Sequence, residues 1–542
     1  MNRNNNINNR SFYPYLSIFY AIVSAILLKF TFPPFYITGL GFIALIPLIK
    51  AVGESNPRKA FYLGLTFGLV FFSTILWWLI PTIHRYGNIP IIAAIAILGC
   101  LVFYLSLYPA IWALISSIWI SKKDIPSFLD IITISSLWVI LEWIRGHILT
   151  GFPWGILGCS LITSPPFIQT ASFLGMYWIS FWIIFVNCLL CSGLLFILDS
   201  NNKKYIKSIA YIGLALLTII SFYYYGKILI KNCKNSDQKY KSLNVVAVQG
   251  NIAQNQKWSK TFQQKTFDIY RKLTISAVDK IKHSNQNIKS PLLIIWPETA
   301  MPFFFQDPSD LKTQILDLAK ATKSLILLGA PSYKLVPNSS DLDIKVKYFN
   351  SAFLVSPEGI VVGRYDKQHL VPFGEYLPFG CFTAWARKII GAIGAFSPGK
   401  HSSPLCWKNI KIGVLICFES IFPHIAVRFV KNGANLLAVI TDDAWFGNTE
   451  APYEHADMAV FRAIETRRYI VRAANTGESL IITPWGKKIK KSPLFTPYYI
   501  YAKIRLRNDL TLYDKIEENW LLPFLLLVLL NLVKSKDSFR QK

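Results

Sequence analysis

Residues 91–120 read IIAAIAILGCLVFYLSLYPAIWALISSIWI, which is thirty consecutive positions without a charged side chain. A helix needs about 20 apolar residues to cross the hydrocarbon core of a bilayer, so this stretch is long enough to span a membrane. The whole chain is 53% hydrophobic and only 16% charged, whereas soluble domains average about 25% charged residues. These features exclude an ordinary, entirely soluble protein.

Seven further apolar runs resemble this stretch, and six of them lie in the first 230 residues. One run, 129–147, is interrupted by Asp130, Glu142 and Arg145. The last run has only 14 uncharged positions and is the weakest of the set. We predict an α-helical membrane bundle of eight spans, at 11–28, 30–49, 60–83, 91–120, 129–147, 171–198, 208–226 and 520–533.

Lysine and arginine are distributed unevenly between the loops. They precede the first run and recur at 50–59, 122–123, 203–207 and 534–542, whereas 148–170 contains none. Because basic residues mark the cytoplasmic side, this pattern predicts that both termini are cytoplasmic. It places the long segment between the seventh and eighth spans on the outer side. Membrane orientation thus accounts for much of the net charge of +27, and no nucleic-acid-binding motif accompanies it.

The segment 233–515 has a different character, because charged residues and asparagine become frequent there. Short β-rich runs alternate with helix-length stretches such as 260–283 and 309–323, which indicates an α/β domain. We predict strands at 243–249, 292–296, 325–329, 351–356, 412–417, 436–440 and 480–483. The predicted organisation is spans one to seven in 1–232, the outer domain in 233–515, and span eight with a cytoplasmic tail in 516–542.

Three segments of the outer domain carry reactive side chains. They are IIWPETAMPF with Glu298, GRYDKQHLVPFGEYLP with Lys367, and KIGVLICFESIFP with Cys417. Taken singly, each residue has an ordinary explanation as a turn, surface or core residue. Together, a thiol nucleophile, a carboxylate that moves its proton and an ammonium group that stabilises an oxyanion make a complete acyl-transfer set. We expect the neighbouring cation to lower the pKa of the thiol.

The order Glu, Lys, Cys along the chain resembles the nitrilase, or carbon–nitrogen hydrolase, superfamily. The segments VQGNIAQNQKW, WPETA, YDKQHLVPFGEY, GVLICFES and DDAWFG narrow the resemblance to the apolipoprotein N-acyltransferase family. In the membrane half, LEWIRGHILTGFPWG at 141–155 also resembles that family. The resemblance covers nearly the whole chain. It implies a nitrilase-like αββα sandwich held between membrane spans, with its site open toward the membrane.

The resemblance also implies roles for individual residues. Glu298 is expected to be the general base, Lys367 the oxyanion-stabilising residue and Cys417 the nucleophile. Glu375 matches a second essential carboxylate, which would support Lys367 or the proton transfer. Three more residues match positions that support the site or bind substrate: Trp258, Phe418 and Glu419.

Two positions depart from the family pattern. Phe418 follows the nucleophile where many members have Tyr, which puts a hydroxyl-specific role in doubt but keeps an aromatic ring. Asp442 stands in TDDAWFG where Asn is expected, so the local hydrogen bonds are expected to differ. Neither departure removes a predicted catalytic residue.

Other polar or reactive groups have two interpretations each. Glu142 and Arg145 lie three positions apart on one predicted helix, so they either pair with each other or contact lipid or substrate. His369 is an alternative base, but the resemblance favours Glu298 and makes His369 a structural neighbour. Residues 376–398 are apolar and aromatic, and we expect either a lid or a buried helix there.

The eight cysteines show neither a disulfide framework nor a zinc-binding pattern. Cys188 and Cys191 form a C-x-x-C inside an apolar run, where we expect packing rather than redox chemistry. Pairing among Cys233, Cys381 and Cys406 stays open.

The resemblance implies a two-step acyltransferase. The donor is a membrane phospholipid, and the acceptor is the α-amino group of the diacylglyceryl-cysteine of an apolipoprotein, in the last step of lipoprotein maturation. The expected protein is a monomer of the bacterial inner membrane that uses no cofactor, metal or nucleic acid. Two alternatives stay open: a membrane-anchored amidase or nitrilase that hydrolyses small amides, and a non-enzymatic transporter or scaffold with a degenerate outer domain.

Overall fold

The computed structural model describes residues 14–120, 126–197, 202–284, 290–337, 344–376 and 396–540. A bundle of apolar helices is formed by the described residues up to 237 and by those after 510. A domain of two β-sheets lies between these two parts of the chain. The predicted lid at 376–398 falls almost entirely on 377–395, which lies outside the described residues, as does Cys381.

Within the described residues, five helices are long and apolar enough to cross a membrane, and Ile91–Ile120 is one of them. The shorter helices of the bundle connect or flank these five. The bundle helices are Pro14–Lys29, Ile46–Gly53, Pro57–Leu76, Leu79–Gly87, Ile91–Ile120, Phe128–Arg145, Pro165–Ile168, Ala171–Phe196, Asn202–Asp237, Leu512–Ile516 and Leu521–Arg540.

Six of the eight predicted spans each correspond to one helix, of which Ala171–Phe196 is kinked at Gly175. Residues 30–49 do not, since Pro33 and Pro34 lack the amide hydrogens that a helix uses, and a 3-10 helix precedes helix Ile46–Gly53. The predicted span 60–83 is divided at Trp77 and Trp78, between helices Pro57–Leu76 and Leu79–Gly87. The number of eight spans therefore stays a prediction.

Small residues let two long helices of the bundle approach closely. Gly64 and Gly68 lie on helix Pro57–Leu76 and face helix Ile91–Ile120. A Cβ atom on Gly68 would lie 2.7 Å from Cα of Ser106, which is closer than real side chains come. The G-x-x-x-G spacing thus brings the two backbones into direct contact, as it does between membrane helices generally.

The described part of the outer domain contains two six-stranded sheets. Their strands are β1 (Ser242–Gln249), β2 (Leu292–Ile295), β3 (Leu325–Pro337), β4 (Ile344–Val355), β5 (Val361–Asp366), β6 (Leu405–Trp407), β7 (Ile410–Ile416), β8 (Leu436–Thr441), β9 (Ile470–Ala474), β10 (Leu480–Ile482), β11 (Lys488–Lys491) and β12 (Tyr498–Arg505). The strand orders are β12-β1-β2-β3-β4-β5 and β11-β10-β9-β8-β7-β6. In each sheet the central strands, β1 to β3 and β7 to β9, run parallel.

The two sheets pack face to face, and helices cover their outer faces. In β1, Val245 belongs to the core that contains Val414 of β7, whereas Val246 packs in the core that contains Phe267. This division follows from the two-residue period of a strand. The architecture is an αββα sandwich, as predicted. Its helices are Gln254–Lys257, Lys260–Ser284, Asp310–Thr322, Pro423–Lys431 and Ala451–Thr466.

Helix Ala451–Thr466 joins the sandwich to the bundle, and nearly all of its residues are buried. Glu454 accepts a hydrogen bond from the indole of Trp154 at 2.8 Å. Glu465 accepts one from the backbone N–H of Met176 at 2.9 Å. Because buried carboxylates are costly unless they are hydrogen-bonded, these contacts fix the orientation of the sandwich on the bundle.

Candidate active site

Three predicted residues converge at the carboxyl ends of strands. Glu298 follows β2, Lys367 follows β5 and Cys417 follows β7. Nζ of Lys367 lies 3.7 Å from Oε1 of Glu298, and the charges of both residues act on the Cys417 thiol. Since β2 and β7 belong to different sheets, the site forms where the two sheets meet.

Glu298 is buried and held by hydrogen bonds to both carboxylate oxygens. Its Oε1 accepts from Nδ2 of Asn350 at 2.7 Å, and its Oε2 accepts from the backbone N–H of Asp442 at 2.9 Å. Burial is the main cause that raises the pKa of Glu298, while Lys367 acts in the opposite direction. The raised pKa makes Glu298 a stronger base than an exposed glutamate.

Lys367 is a buried cation paired with Glu375. Its Nζ lies 2.9 Å from Oε2 and 3.0 Å from Oε1 of that carboxylate. Burial acts to lower the pKa of Lys367, but Glu375 and Glu298 outweigh it, and the net pKa is raised. Glu375 also accepts from Asn350 at 2.9 Å and from the backbone N–H of Val371 at 2.8 Å. The ammonium group is therefore held in one position.

Cys417 presents its thiol from a strained backbone position. Its φ is +53°, in the left-handed region, directly after β7 and at the start of a 3-10 helix. This conformation costs a non-glycine residue about 1–2 kcal/mol and persists where the surroundings enforce it. Burial is the main cause that raises the pKa of the thiol, Glu298 adds to it, and Lys367 opposes it. Lys367 thus acts on this pKa in the expected direction, but burial and Glu298 outweigh it and the net pKa is raised.

Glu419 joins the loops that carry the ammonium and the thiol. Its Oε1 accepts from the backbone N–H of Gln368 at 2.7 Å, and its Oε2 accepts from the N–H of Ile416 at 2.8 Å. The side chain is fully buried, and burial is the main cause that raises its pKa to about 7. Glu419 thus fixes the end of β5, with Lys367, against the end of β7, with Cys417.

The segment QNQKW contributes a second residue besides the one that the resemblance indicates. Trp258 is 54% exposed, whereas Lys257 is 2% exposed. Lys257 donates to the backbone carbonyl of Glu298 at 3.1 Å and forms an ion pair with Asp442. The signal for Lys257 in the sequence was Asp442, which stands where the family pattern has Asn. A buried carboxylate at that position needs a partner of opposite charge.

Asn350 was also missed by sequence reasoning. It lies in β4 and donates from Nδ2 to both Glu298 and Glu375, at 2.7 and 2.9 Å. No sequence pattern around an asparagine inside a strand indicates such a role. Its function is visible only from the two carboxylates that it meets.

Phe418 lies at the boundary between the sandwich and the bundle. Its ring centroid is 6.4 Å from that of Phe152, in the segment GFPWG, and 5.8 Å from that of His369. Burial is the main cause that lowers the pKa of His369 to about 4, and Lys367 adds to it. His369 is therefore neutral at neutral pH and a weak base, which agrees with its interpretation as a structural neighbour.

Glu142 and Arg145 hold the loop beside the site. Glu142 accepts from the backbone N–H of Leu157 at 2.8 Å, and Arg145 donates to the carbonyl of Trp154 at 2.5 Å. Among the ion pairs of the described residues, none joins Glu142 to Arg145. Both side chains bind the backbone of 152–157 instead of each other, and their contact with lipid or substrate stays a prediction.

Two family descriptions match this chain. Residues 24–189 match the apolipoprotein N-acyltransferase N-terminal domain, and residues 245–508 match carbon-nitrogen hydrolase. The second range contains Glu298, Lys367 and Cys417. A solved carbon-nitrogen hydrolase from Helicobacter pylori has a TM-score of 0.36 and 16% identity, over 53% of this chain and 94% of that one.

Curated proteins are similar to this chain over most of its length and most of theirs. The apolipoprotein N-acyltransferase of Geobacter metallireducens is 37% identical over 496 residues, which cover 91% of this chain and 90% of that protein. The enzyme of Pasteurella multocida is 29% identical over 91% of each chain. That of Haemophilus influenzae is 28% identical over 95% of this chain and 94% of its own. The chain therefore belongs to the apolipoprotein N-acyltransferase family.

Proposed function

We propose that this chain transfers a fatty acyl group from a membrane phospholipid to the α-amino group of the diacylglyceryl-cysteine of an apolipoprotein, through a thioester on Cys417. The observation that carries the proposal is the convergence of the buried side chains of Glu298 and Lys367 with Cys417, which is partly exposed. The name of the relatives supports the reaction class and the acceptor. The apolar helices support a donor that resides in the bilayer.

The first half-reaction forms the thioester. Sγ of Cys417 attacks the ester carbonyl carbon of the phospholipid while Glu298 takes the thiol proton. The raised pKa of the thiol makes this simultaneous proton transfer necessary. The ammonium of Lys367 stabilises the oxyanion. When the C–O bond breaks, the lysophospholipid oxygen takes the proton from Glu298.

The second half-reaction forms the amide. The α-amine of the acceptor attacks the thioester carbonyl carbon, and Glu298 takes a proton from the nitrogen. Lys367 again lies beside the oxyanion. The C–S bond breaks, the sulfur takes the proton from Glu298, and the resting thiol is restored. One carboxylate therefore serves as acid and base in both steps.

Supporting roles follow from the contacts of the remaining residues. We assign Glu375 to orient Lys367, because it holds that ammonium at 2.9 Å. We assign Glu419 to fix the two reactive loops against each other. Exposed Trp258 and the ring of Phe418 are assigned to substrate contact. Glu142 and Arg145 are assigned to the shape of the loop 152–157.

The membrane location has a physical purpose in this proposal. Both substrates keep acyl chains in the bilayer, and extracting a chain costs about 0.8 kcal/mol per buried CH₂. We propose that the sandwich, residues 233–515, lies on the outer side of the inner membrane with both termini in the cytoplasm. The asymmetry of basic residues between the loops supports this orientation. The proposed enzyme acts as a monomer.

A labelling experiment tests the function. The full chain, purified in lipid vesicles that contain phospholipid with radiolabelled acyl chains, is expected to retain label on Cys417 and to release it to a diacylglyceryl lipopeptide. The variant Cys417→Ala is expected to retain none, whereas Cys406→Ala, which removes an exposed cysteine, behaves like the unmodified chain. Hydrolysis of small amides without label from lipid supports the amidase alternative. Intact cellular function of Cys417→Ala supports a scaffold.

A further inference from the structure

His455 lies against the backbone of the nucleophile, and the proposed reaction does not use it. It belongs to helix Ala451–Thr466 and is 1% exposed. Its Nε2 is 3.1 Å from the carbonyl oxygen of Cys417 and 3.1 Å from Oγ of Ser420. Ser420 donates from Oγ to the same carbonyl at 2.9 Å. A buried imidazole thus contacts the peptide of a strained residue.

The partners of the ring show which nitrogen carries the proton. A carbonyl oxygen can only accept a hydrogen bond, so Nε2 of His455 donates to Cys417. Nδ1 lies 3.2 Å from Nη2 of Arg472, which can only donate. Burial is the main cause that lowers the pKa of His455, and the charge of Arg472 adds to it. Nε2 therefore carries a proton, whereas Nδ1 faces both a donor in Arg472 and, at 3.1 Å, an acceptor in Oδ1 of Asp443.

Asp443 completes the surroundings of Nδ1. Its Oδ1 lies 3.1 Å from Nδ1 of His455 and accepts from the hydroxyl of Thr441 at 2.9 Å. Its Oδ2 forms an ion pair with Nη2 of Arg472 at 2.6 Å. The carboxylate and the guanidinium that lie beside Nδ1 therefore balance each other's charge.

Aromatic rings fix the plane of the imidazole. Trp154 comes from the bundle and stacks on His455 with a centroid distance of 6.1 Å and an interplanar angle of 27°. Phe446 meets the imidazole edge-on, at 5.9 Å and 84°. Trp154 is itself held by its indole hydrogen bond to Glu454, the residue before His455. The position of the imidazole thus depends on a loop of the membrane half.

We propose that His455 is a positioning residue whose Nε2–H, together with the hydroxyl of Ser420, holds the Cys417 peptide in its left-handed conformation and so aims Sγ at Glu298 and Lys367. The stacking of Trp154 ties this geometry to the bundle. The inference rests on the proposed function in one respect, which is that Cys417 is the nucleophile. It adds a reason why the membrane half is needed for chemistry as well as for anchoring.

Two substitutions of His455 separate the proposed hydrogen bond from simple packing. In His455→Gln, the amide nitrogen lies about where Nε2 lies and can still donate to the Cys417 carbonyl. In His455→Asn, the shorter amide reaches only the position of Nδ1. The full chain, purified in detergent, is given a p-nitrophenyl fatty ester, and the burst of nitrophenolate reports acylation of Cys417. Peptide-resolved mass spectrometry measures alkylation of Cys417 by iodoacetamide.

His455→Asn is expected to lower the acylation rate constant by about 10- to 100-fold, since small displacements of reacting groups have effects of this size. The half-saturating ester concentration is expected to stay unchanged, and His455→Gln is expected to keep most of the rate. Trp154→Ala is expected to lower acylation as His455→Asn does, and the double variant to show no further loss. If His455→Asn does not fold, Ser420→Ala, which removes the second donor, is expected to lower acylation severalfold.

The proposal is overturned if the Gln and Asn variants lose the same share of the acylation rate and this loss parallels the decrease in their thermal unfolding temperatures. That result would show a purely structural role. Full acylation rates in both variants, or in Ser420→Ala where that variant replaces Asn, also overturn it. Failure of the proposed function has a different signature, since the unmodified chain would then form no acyl-enzyme from any ester. The alkylation rate of Cys417 in the two variants still decides the positioning role in that case.

Discussion

The ammonium of Lys367 lies 3.7 Å from the carboxylate of Glu298, which is too far for a good hydrogen bond but close enough for a strong charge interaction. Glu375 takes the direct contact with the ammonium instead, at 2.9 Å. The two carboxylates therefore differ in what they do. Glu375 orients the cation, and Glu298 keeps an oxygen that is not committed to it and can receive a proton.

Glu298→Gln removes the proposed base and keeps much of the shape of the side chain. Because general-base catalysis contributes about 10²–10⁴-fold, we expect acylation of Cys417 to slow by about that factor. The burst of nitrophenolate from a p-nitrophenyl ester measures it. Glu358→Gln, at an exposed position remote from these contacts, is the matched control and is expected to have no effect. Equal rates for Glu298→Gln and the unmodified chain would contradict the assignment of the base.

When the pH is lowered, the acylation rate is expected to fall at a higher pH than it would with an ordinary glutamate as base, whose pKa is about 4.3. The pKa of Glu298 is raised, mainly by burial, and its carboxylate is the form that takes a proton in the proposed reaction. Activity is therefore present above the raised pKa and is lost as the pH falls through it. The measurement is the rate of thioester formation against pH at low ester concentration. A fall at the ordinary value would count against Glu298 as the titrating base.

Glu375→Gln removes the direct partner of the Lys367 ammonium. Glu375 and Glu298 raise the pKa of Lys367 against the effect of burial, so loss of one carboxylate lowers that pKa. We expect the acylation rate to fall about tenfold or more, as for the loss of an orienting contact in a preorganised site. Glu375→Asp is expected to retain part of the activity. A variant as active as the unmodified chain would show that Lys367 needs no second carboxylate.

Lys257 and Asp442 are expected to depend on each other for stability, because both side chains of this ion pair are 3% exposed. Removing one partner of a buried pair leaves an uncompensated charge and typically costs about 3–5 kcal/mol. We therefore expect Lys257→Met to lower the thermal unfolding temperature strongly and the double variant Lys257→Met with Asp442→Asn to recover much of it. Strictly additive effects of the two substitutions would exclude the coupling.

Packing of the membrane half is expected to fail when Gly68 gains a large side chain. Its Cα faces the backbone of Ser106 so closely that even a Cβ would lie 2.7 Å from Cα of that residue. Gly68→Leu is expected to reduce the folded yield in detergent, whereas Gly99→Leu, at a position with open space on the same pair of helices, is expected to be tolerated. Folded yield by size-exclusion chromatography measures the difference, and equal yields would contradict the close approach.

The seven strands predicted from apolar runs are all present. Strands that are buried on both faces consist of consecutive apolar residues, so the sequence shows them as apolar runs. The strands that sequence reasoning missed include β6 and β11, at the outer edge of a sheet. Their residues LCW and KIKK are too short or too polar to produce such a run. The prediction of one helical span at 30–49 is wrong for a related reason. An apolar run indicates that its residues are buried, but it does not show that they form one continuous helix.

The sequence by itself determined the two-part architecture and selected Glu298, Lys367 and Cys417 as the candidate reactive residues, because long apolar runs and local motifs are properties of neighbouring residues. The tertiary structure alone decided which distant groups meet these three: Lys257 beside Asp442, Asn350 between two carboxylates, and His455 against the Cys417 carbonyl. Those partners lie tens to hundreds of residues apart along the chain. The packing of two sheets and a helix bundle sets their distances, and no local pattern of residues encodes them.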